Sequence, residues 1–212
     1  MEQIVFGIDI GTTKICALVG SIEQRQLQII GLGIQPSQGM RKGMIVDVPA
    51  ASVALASAVE AAEQTSGYHL AQALVSMAGE HFSSTNNRGI VAINRNEDGV
   101  TPSDIDRALD TAQAIAIPQN RQFVHVIPRH YTIDDHDGVR QPLGMHGYRL
   151  EGEAHIITAA SSAVQNLQQC CANIGVRAEE LVFNALASAE AVLEPTDKEM
   201  GVLVVDIGGG TT

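Results

Sequence analysis

Aromatic residues are scarce: the 212 residues include no tryptophan, four phenylalanines and three tyrosines, so stacked rings cannot build a core. Aliphatic side chains must do so, and with 45% apolar residues the chain can fill one large domain or two small ones. Cations are also scarce. Thirteen Lys and Arg against 24 Asp and Glu leave a formal charge of -11 with no basic block, which disfavours a nucleic-acid partner. No apolar run approaches the ~18 residues of a membrane-spanning helix. The three cysteines are odd in number, lack C-x-x-C spacing and include the adjacent Cys170 and Cys171, so no disulfide framework is read. No basic region precedes the first apolar segment as it would in a signal peptide, and a cytoplasmic protein is expected.

The apolar residues that are present fall into ordered segments. Ile4 to Ile10 reads as a buried strand running into the turn Gly11-Thr12-Thr13. Strands at Ile15 to Val19 and Leu27 to Ile34 complete an antiparallel meander. Pro49 opens a helix with Leu55, Val59 and Ala62 on one face and Gly67 as its stop, followed by a strand at Ala73 to Met77. From about Phe82 to Glu153 the texture changes to Asn, Asp, Gly and Pro turns. That stretch holds one clear helix, with Thr101 as N-cap, Pro102 in the first turn, Asp104 as capping-box acid and Ile105, Leu109, Ala112 and Ile115 as apolar face. Strands at Gly89 to Ile93 and Phe123 to Ile127 flank it, giving a small α+β insert. The α/β pattern then resumes: strand Ala154 to Ala160, a helix from Ser161 ending before Gly175, a strand at Leu181 to Phe183, a helix from Asn184 to Leu193 stopped by Pro195, and strand Val202 to Ile207. The last residues are a glycine-rich turn, which reads as a chain cut short.

One motif occurs at both ends. Gly7-Ile8-Asp9-Ile10-Gly11-Thr12-Thr13 and Val205-Asp206-Ile207-Gly208-Gly209-Gly210-Thr211-Thr212 each run from an apolar strand through Asp-Ile-Gly to a Thr pair. Either copy alone could be a turn with an incidental Asp; two copies suggest two related folding units. Glycine lets backbone N–H groups approach phosphate oxygens closely, and Thr hydroxyls and Lys14 add donors. The phosphate-binding candidates are thus Gly11, Thr12, Thr13, Lys14, Gly208, Gly209, Gly210, Thr211 and Thr212. Asp9 and Asp206, at strand ends, suit a hydrated Mg²⁺ held through its waters. Neither the P-loop nor the dinucleotide-binding glycine pattern is present.

These two turns resemble the phosphate motifs of the actin, Hsp70 and sugar-kinase superfamily. The ordered set Gly7 to Gly20, Gly39-Met-Arg-Lys-Gly-Met-Ile-Val-Asp47, His125-Val-Ile-Pro128, Leu186 to Leu193 and Val204 to Thr212 is similar to the FtsA family of bacterial cell-division proteins over essentially the whole chain. The resemblance implies an actin-like (ribonuclease H-like) subdomain 1A from residues 1–81 and 154–212, with an SHS2-type subdomain 1C inserted at 82–153. It implies ATP and Mg²⁺ as cofactors and self-association into filaments. It also implies FtsZ as partner through subdomain 2B, membrane attachment through a C-terminal amphipathic helix, and later division proteins such as FtsN through 1C. Subdomain 2B, the amphipathic helix and the adenine pocket lie beyond Thr212 in the family pattern, so residues 1–212 are expected to bind ATP more weakly than the whole. The location implied is the inner face of the cell membrane at the division site.

One residue departs from the superfamily. Where related ATPases begin the helix between the turns with Glu or Gln to orient water, this chain has Asn184, a shorter amide and a poor base. It caps the helix or serves catalysis weakly, and hydrolysis is at most slow. Two other functions stay open on sequence: a metabolic kinase of the sugar or acetate type, for which no strong base stands out, and a pilus-assembly ATP-binding scaffold. His125, His130, His136, Asp134, Asp135 and Asp137 match no metal-ligand spacing and read as a solvated turn. Cys16 reads as a core residue, and Arg41 and Lys42 read by default as a solvated loop, with contact to a partner or an anion as the alternative.

Overall fold

A computed structural model describes residues 3–93, 99–114 and 117–212. In chain order its strands are β1 (Gln3–Ile10), β2 (Lys14–Glu23), β3 (Gln26–Pro36), β4 (Met40–Arg41), β5 (Met44–Ile45), β6 (Gln72–Met77), β7 (Phe82–Ala92), β8 (Arg121–Ile133), β9 (His136–Val139), β10 (Arg149–Ala160) and β11 (Arg177–Phe183). The helices are α1 (Val48–Ser66), α2 (Pro102–Gln113), α3 (Ser161–Asn173), α4 (Asn184–Val192) and α5 (Pro195–Met200). They form two compact units, Met1–His81 with Ser161–Thr212, and Phe82–Ala160.

The first unit is built on a sheet of order β11-β6-β1-β2-β3. β1, β2 and β3 are an antiparallel meander, while β6 lies parallel to β1 and β11 parallel to β6. This is the actin-like, ribonuclease H-type arrangement. Ile8, Ile10, Ile15, Ala17, Val19, Ala73 and Val75 are buried on the sheet, and Leu55, Ala58 and Ala62 of α1 are buried on the helix above it. Each larger aliphatic group so covered stabilises by about 1.5–3 kcal/mol. Asp47 caps α1, its Oδ1 accepting from Ala50 N at 3.0 Å, and Gly67 ends it at φ 76°. The inward positions of β3 under α1 are Gly31 and Gly33, so the helix backbone lies directly on the strand. α3 packs beside α1 through buried Val164, Leu167, Cys170 and Cys171. Burial, reinforced by Cys170, pushes the Cys171 thiol up to about 12, so it stays protonated at neutral pH.

The second unit has a sheet of order β7-β10-β8-β9 with α2 packed on it. Val100, Ala108, Tyr131, Ile133 and Leu150 form one core cluster and Ala112, Ala154 and Ile156 another, with Leu109 and Ile105 packed at their edges. Ile115, placed on the helix face by periodicity, lies outside the described residues, as do residues 94–98 of the polar stretch Asn94 to Gly99. Thr101 and Asp104 make the expected capping box: Thr101 Oγ1 accepts from Asp104 N, and Asp104 Oδ2 accepts from Thr101 N at 2.9 Å. Asp104 also pairs with Arg107.

Asp104 is buried, which alone would raise its pKa, but the Thr101 hydrogen bonds and Arg107 together outweigh burial and hold it below the ordinary carboxylate value. Glu153 behaves alike: burial opposes, and the hydrogen bonds from Arg88 (2.9 Å) and Arg129 (2.6 Å) prevail. Both groups therefore contribute stability that is present above their unfolded pKa and lost as pH falls through the folded one. Asp104→Asn should lower stability at neutral pH and flatten its decline below roughly pH 4, as read from thermal midpoints across a pH series. An undiminished acid slope in the variant would show that Asp104 is not a source of it.

Three sequence expectations change. β10 is one ladder from Arg149 to Ala160, paired throughout with β7 and β8, so the junction placed between 153 and 154 cuts a strand, and the first unit resumes only at Ser161. Residues 202–207 form no strand, because no neighbouring strand among the described residues pairs with them; Leu203, Val205 and Ile207 are exposed while Val204 and Asp206 are half-buried, so the alternation survives without a ladder. Pro195 both follows α4 and opens α5, its fixed φ suiting a first helical position.

Candidate functional site

The first end motif lies on the β1–β2 hairpin. Gly11 N donates to Lys14 O at 3.0 Å, closing the turn that carries Thr12 and Thr13. Space is tight there, since a Cβ on Gly11 would lie 2.9 Å from Lys14 O. Asp9, near the end of β1, stands opposite Ser76 of β6, and Ser76 Oγ donates to its Oδ1 at 2.6 Å. On its other side Asp9 stands opposite Cys16 of β2. Burial, then the Asp9 charge, raises the Cys16 thiol, with Lys14 partly opposing, which keeps the thiol protonated.

The second end motif is carried by the extended segment 202–207. Asp206 Oδ2 accepts from Ser188 Oγ of α4 at 2.7 Å, and Gly208 N donates to Thr211 O at 2.9 Å to close the turn. The two turns meet. Gly209 lies against Thr13, whose Oγ1 would be 3.1 Å from an added Cβ, and Gly210 lies against Thr12 and the Lys42 backbone. Two turns separated by nearly the whole sequence thus put their glycines and threonines side by side. Lys14 is exposed beside them.

Asn184 is the first residue of α4, and the cap position is Phe183, with no side-chain cap hydrogen bond. The capping role considered for Asn184 is therefore not the one it plays. Helical spacing sets Asn184 and Ser188 on one face, one turn apart, so Asn184 lies on the side of α4 that reaches Asp206. His136 and Asp137 are on β9, and Asp137 accepts from Thr132 Oγ1 at 2.9 Å, as turn residues do.

Ser76 and Ser188 escaped sequence reasoning. Each is a small hydroxyl inside an apolar element, Ala-Leu-Val-Ser-Met and Asn-Ala-Leu-Ala-Ser, and the signal was that lone polar position. Without the fold nothing said which carboxylate either would meet. Arg41 and Lys42 are exposed, as expected, while the adjacent Gly43 is buried and its N donates to Thr12 Oγ1 at 2.9 Å. The assembled features are close-approach backbone, hydroxyls, and two carboxylates each held by a serine.

Comparison with known proteins gives this geometry relatives. Residues 79–158 match the model described as the SHS2 domain inserted in FtsA. The chain is 43% identical over 211 residues to the cell division protein FtsA of Pseudomonas aeruginosa, covering 99% of this chain and 50% of that protein. It is 43% identical to the Neisseria meningitidis protein over 212 residues and 34% to that of Escherichia coli K12 over 211. Among solved structures, a chain of the PilM–PilN type IV pilus biogenesis complex superposes with a TM-score of 0.60 at 12% identity, covering 88% of this chain and 49% of that one, and so shares the actin-like fold. The chain spans about half the length of the curated relatives it matches. Identity sustained over its whole length, together with an SHS2 domain inserted in an actin-like subdomain, makes this chain homologous to about half the length of the FtsA cell division proteins.

Proposed function

We propose that this chain forms the phosphate-binding lobe of an ATP-dependent, self-assembling division scaffold. The observation that carries the reading is the meeting of the two glycine turns, Gly209 on Thr13 and Gly210 on Thr12, with Asp9 and Asp206 held by Ser76 and Ser188 beside them. This donor set fits a nucleotide polyphosphate with Mg²⁺. Gly11 and Gly208 close the turns, the remaining backbone N–H groups from Thr12 and Thr13 and from Gly209 to Thr212 and the threonine hydroxyls suit phosphate oxygens, and the two carboxylates suit the waters of a hydrated cation. A bound Mg²⁺ would offset part of the negative charge that the carboxylates and the phosphates bring together. Asn184 is a poor base, which fits a nucleotide that controls assembly and is hydrolysed slowly at most.

In the whole protein, homology to the FtsA proteins supports tethering of FtsZ filaments to the inner membrane face, with the inserted unit meeting later division proteins such as FtsN. The test uses the full-length protein. Pelleting with FtsZ filaments, together with Mg²⁺-dependent ATP binding that Asp9→Asn and Asp206→Asn each weaken about tenfold or more, is the expected result. A protein that stays in the supernatant argues for the pilus scaffold whose fold it shares, and robust phosphate transfer from ATP to sugars or acetate argues for the kinase.

A further inference from the structure

The geometry points to Lys42 as a third contributor to the phosphate site, a cation carried on the β4–β5 hairpin toward the polyphosphate chain of a bound nucleotide. This inference rests on the nucleotide reading above.

β4 and β5 pair through Met40 with Ile45 and Arg41 with Met44, leaving Lys42-Gly43 as a two-residue turn. Both central residues have positive φ, 48° and 73°, as a type I′ turn requires. Asn, Asp or Gly is the usual first residue of such a turn, and a lysine there is conformationally unfavourable. The chain nonetheless places one of its 13 basic residues at that point. Local strain at a site facing another functional loop is a reason to look for a role.

The turn does face one. Gly43 N donates to Thr12 Oγ1 at 2.9 Å, so the hairpin is fastened to the first phosphate turn. That bond occupies a lone pair of the hydroxyl and leaves its hydrogen to donate outward. Gly210 of the second phosphate turn lies against the same residues, an added Cβ falling 2.8 Å from Thr12 Oγ1 and 3.1 Å from Lys42 Cα. Behind, a Cβ on Gly79 would come 3.2 Å from Gly43 O, so the turn is seated on the exit of β6, two residues past the Met77 end of the strand that holds Asp9 through Ser76. The hairpin is therefore fixed from below and from both phosphate turns.

Charge supplies the chemistry. Asp9 and Asp206 put two carboxylates at the site, and a polyphosphate adds several more negative charges, which one hydrated Mg²⁺ and Lys14 only partly balance. Among the described residues Lys42 is exposed and pairs with no carboxylate, so its ammonium is available to phosphate oxygens.

The test measures binding of ATP, ADP and adenosine to the full-length protein with Mg²⁺, for wild type and for Lys42→Ala, Lys42→Arg and Lys42→Gly. Lys42→Ala is expected to weaken ATP about tenfold, ADP less and adenosine not at all, with a shallower salt dependence, and Lys42→Arg to retain affinity. Lys42→Gly separates binding from folding: it relieves the left-handed lysine, so the nucleotide-free thermal midpoint should hold or rise while ATP affinity falls. If the wild type binds ATP and the variants bind it equally well, the Lys42 inference is overturned and the phosphate site stands. If the wild type binds no ATP, both fall.

Discussion

Gly33→Ala is expected to destabilise the first unit by about 3 kcal/mol and to lower its thermal midpoint by roughly 6–12 °C. The added methyl would fall inside the van der Waals shell of Ala58 O and within 2.8 Å of Ala62 N, both backbone atoms of α1 that no rotamer change can move aside. Accommodating it means lifting α1 from β3, which also opens the contacts of Leu55, Ala58 and Ala62 with the sheet. Gly175→Ala is the control. That residue has a positive φ of 77° but nothing within 4 Å of a new Cβ, so only the left-handed backbone cost of about 1 kcal/mol applies. Equal losses in the two variants, measured by denaturant titration followed by far-ultraviolet circular dichroism, would show that α1 does not rest on the strand backbone. The insert repeats the device at Gly89, whose Cβ would meet the backbone of Ala108 and Ala112 in α2.

What could be read from sequence follows from how local each signal is. The β1–β2–β3 meander, the helix begun near Pro49 and ended by Gly67, and the Thr101–Asp104 box depend on neighbouring residues, and they form where expected. The sequence places the start of β10 five residues late, because Arg149 to Glu153 mixes charge with apolar positions; Glu151 and Glu153 meet Arg88 and Arg129 on other strands. The β4–β5 hairpin has two-residue strands, too short for any alternation to show, and its turn begins with Lys rather than Asn or Gly. Ser76 and Ser188 act through partners 67 and 18 positions away, a relation that only the fold creates. The paired glycine turns were legible as motifs because each is contiguous. Their contact was not, since it requires β1 and the 202–207 segment to end at one place.

That contact makes the other large effect a loss of binding without a loss of fold. Gly209→Ala is expected to weaken ATP binding by roughly tenfold to a hundredfold while leaving the nucleotide-free midpoint within about 2 °C. Unlike Gly33, Gly209 has an ordinary backbone angle, is exposed, and meets the Thr13 side chain and not a main-chain atom. The new methyl can be accommodated by turning Thr13 away, so the fold gives locally and at little cost. Thr13, however, sits in the first glycine turn, where on the proposed nucleotide reading its hydroxyl and backbone keep their place for the two turns to close on the same ligand. Displacing it separates the halves of the site by a fraction of an ångström, which preorganised anion recognition does not tolerate. Thr13→Ser in the Gly209→Ala background removes the methyl that clashes and keeps the hydroxyl, so it should restore most of the lost affinity, whereas Thr13→Val should not. Calorimetric titration with Mg²⁺-ATP reads the series. Rescue by serine would tie the loss to one steric contact between the turns, and its failure would mean that Gly209 matters for the second turn alone.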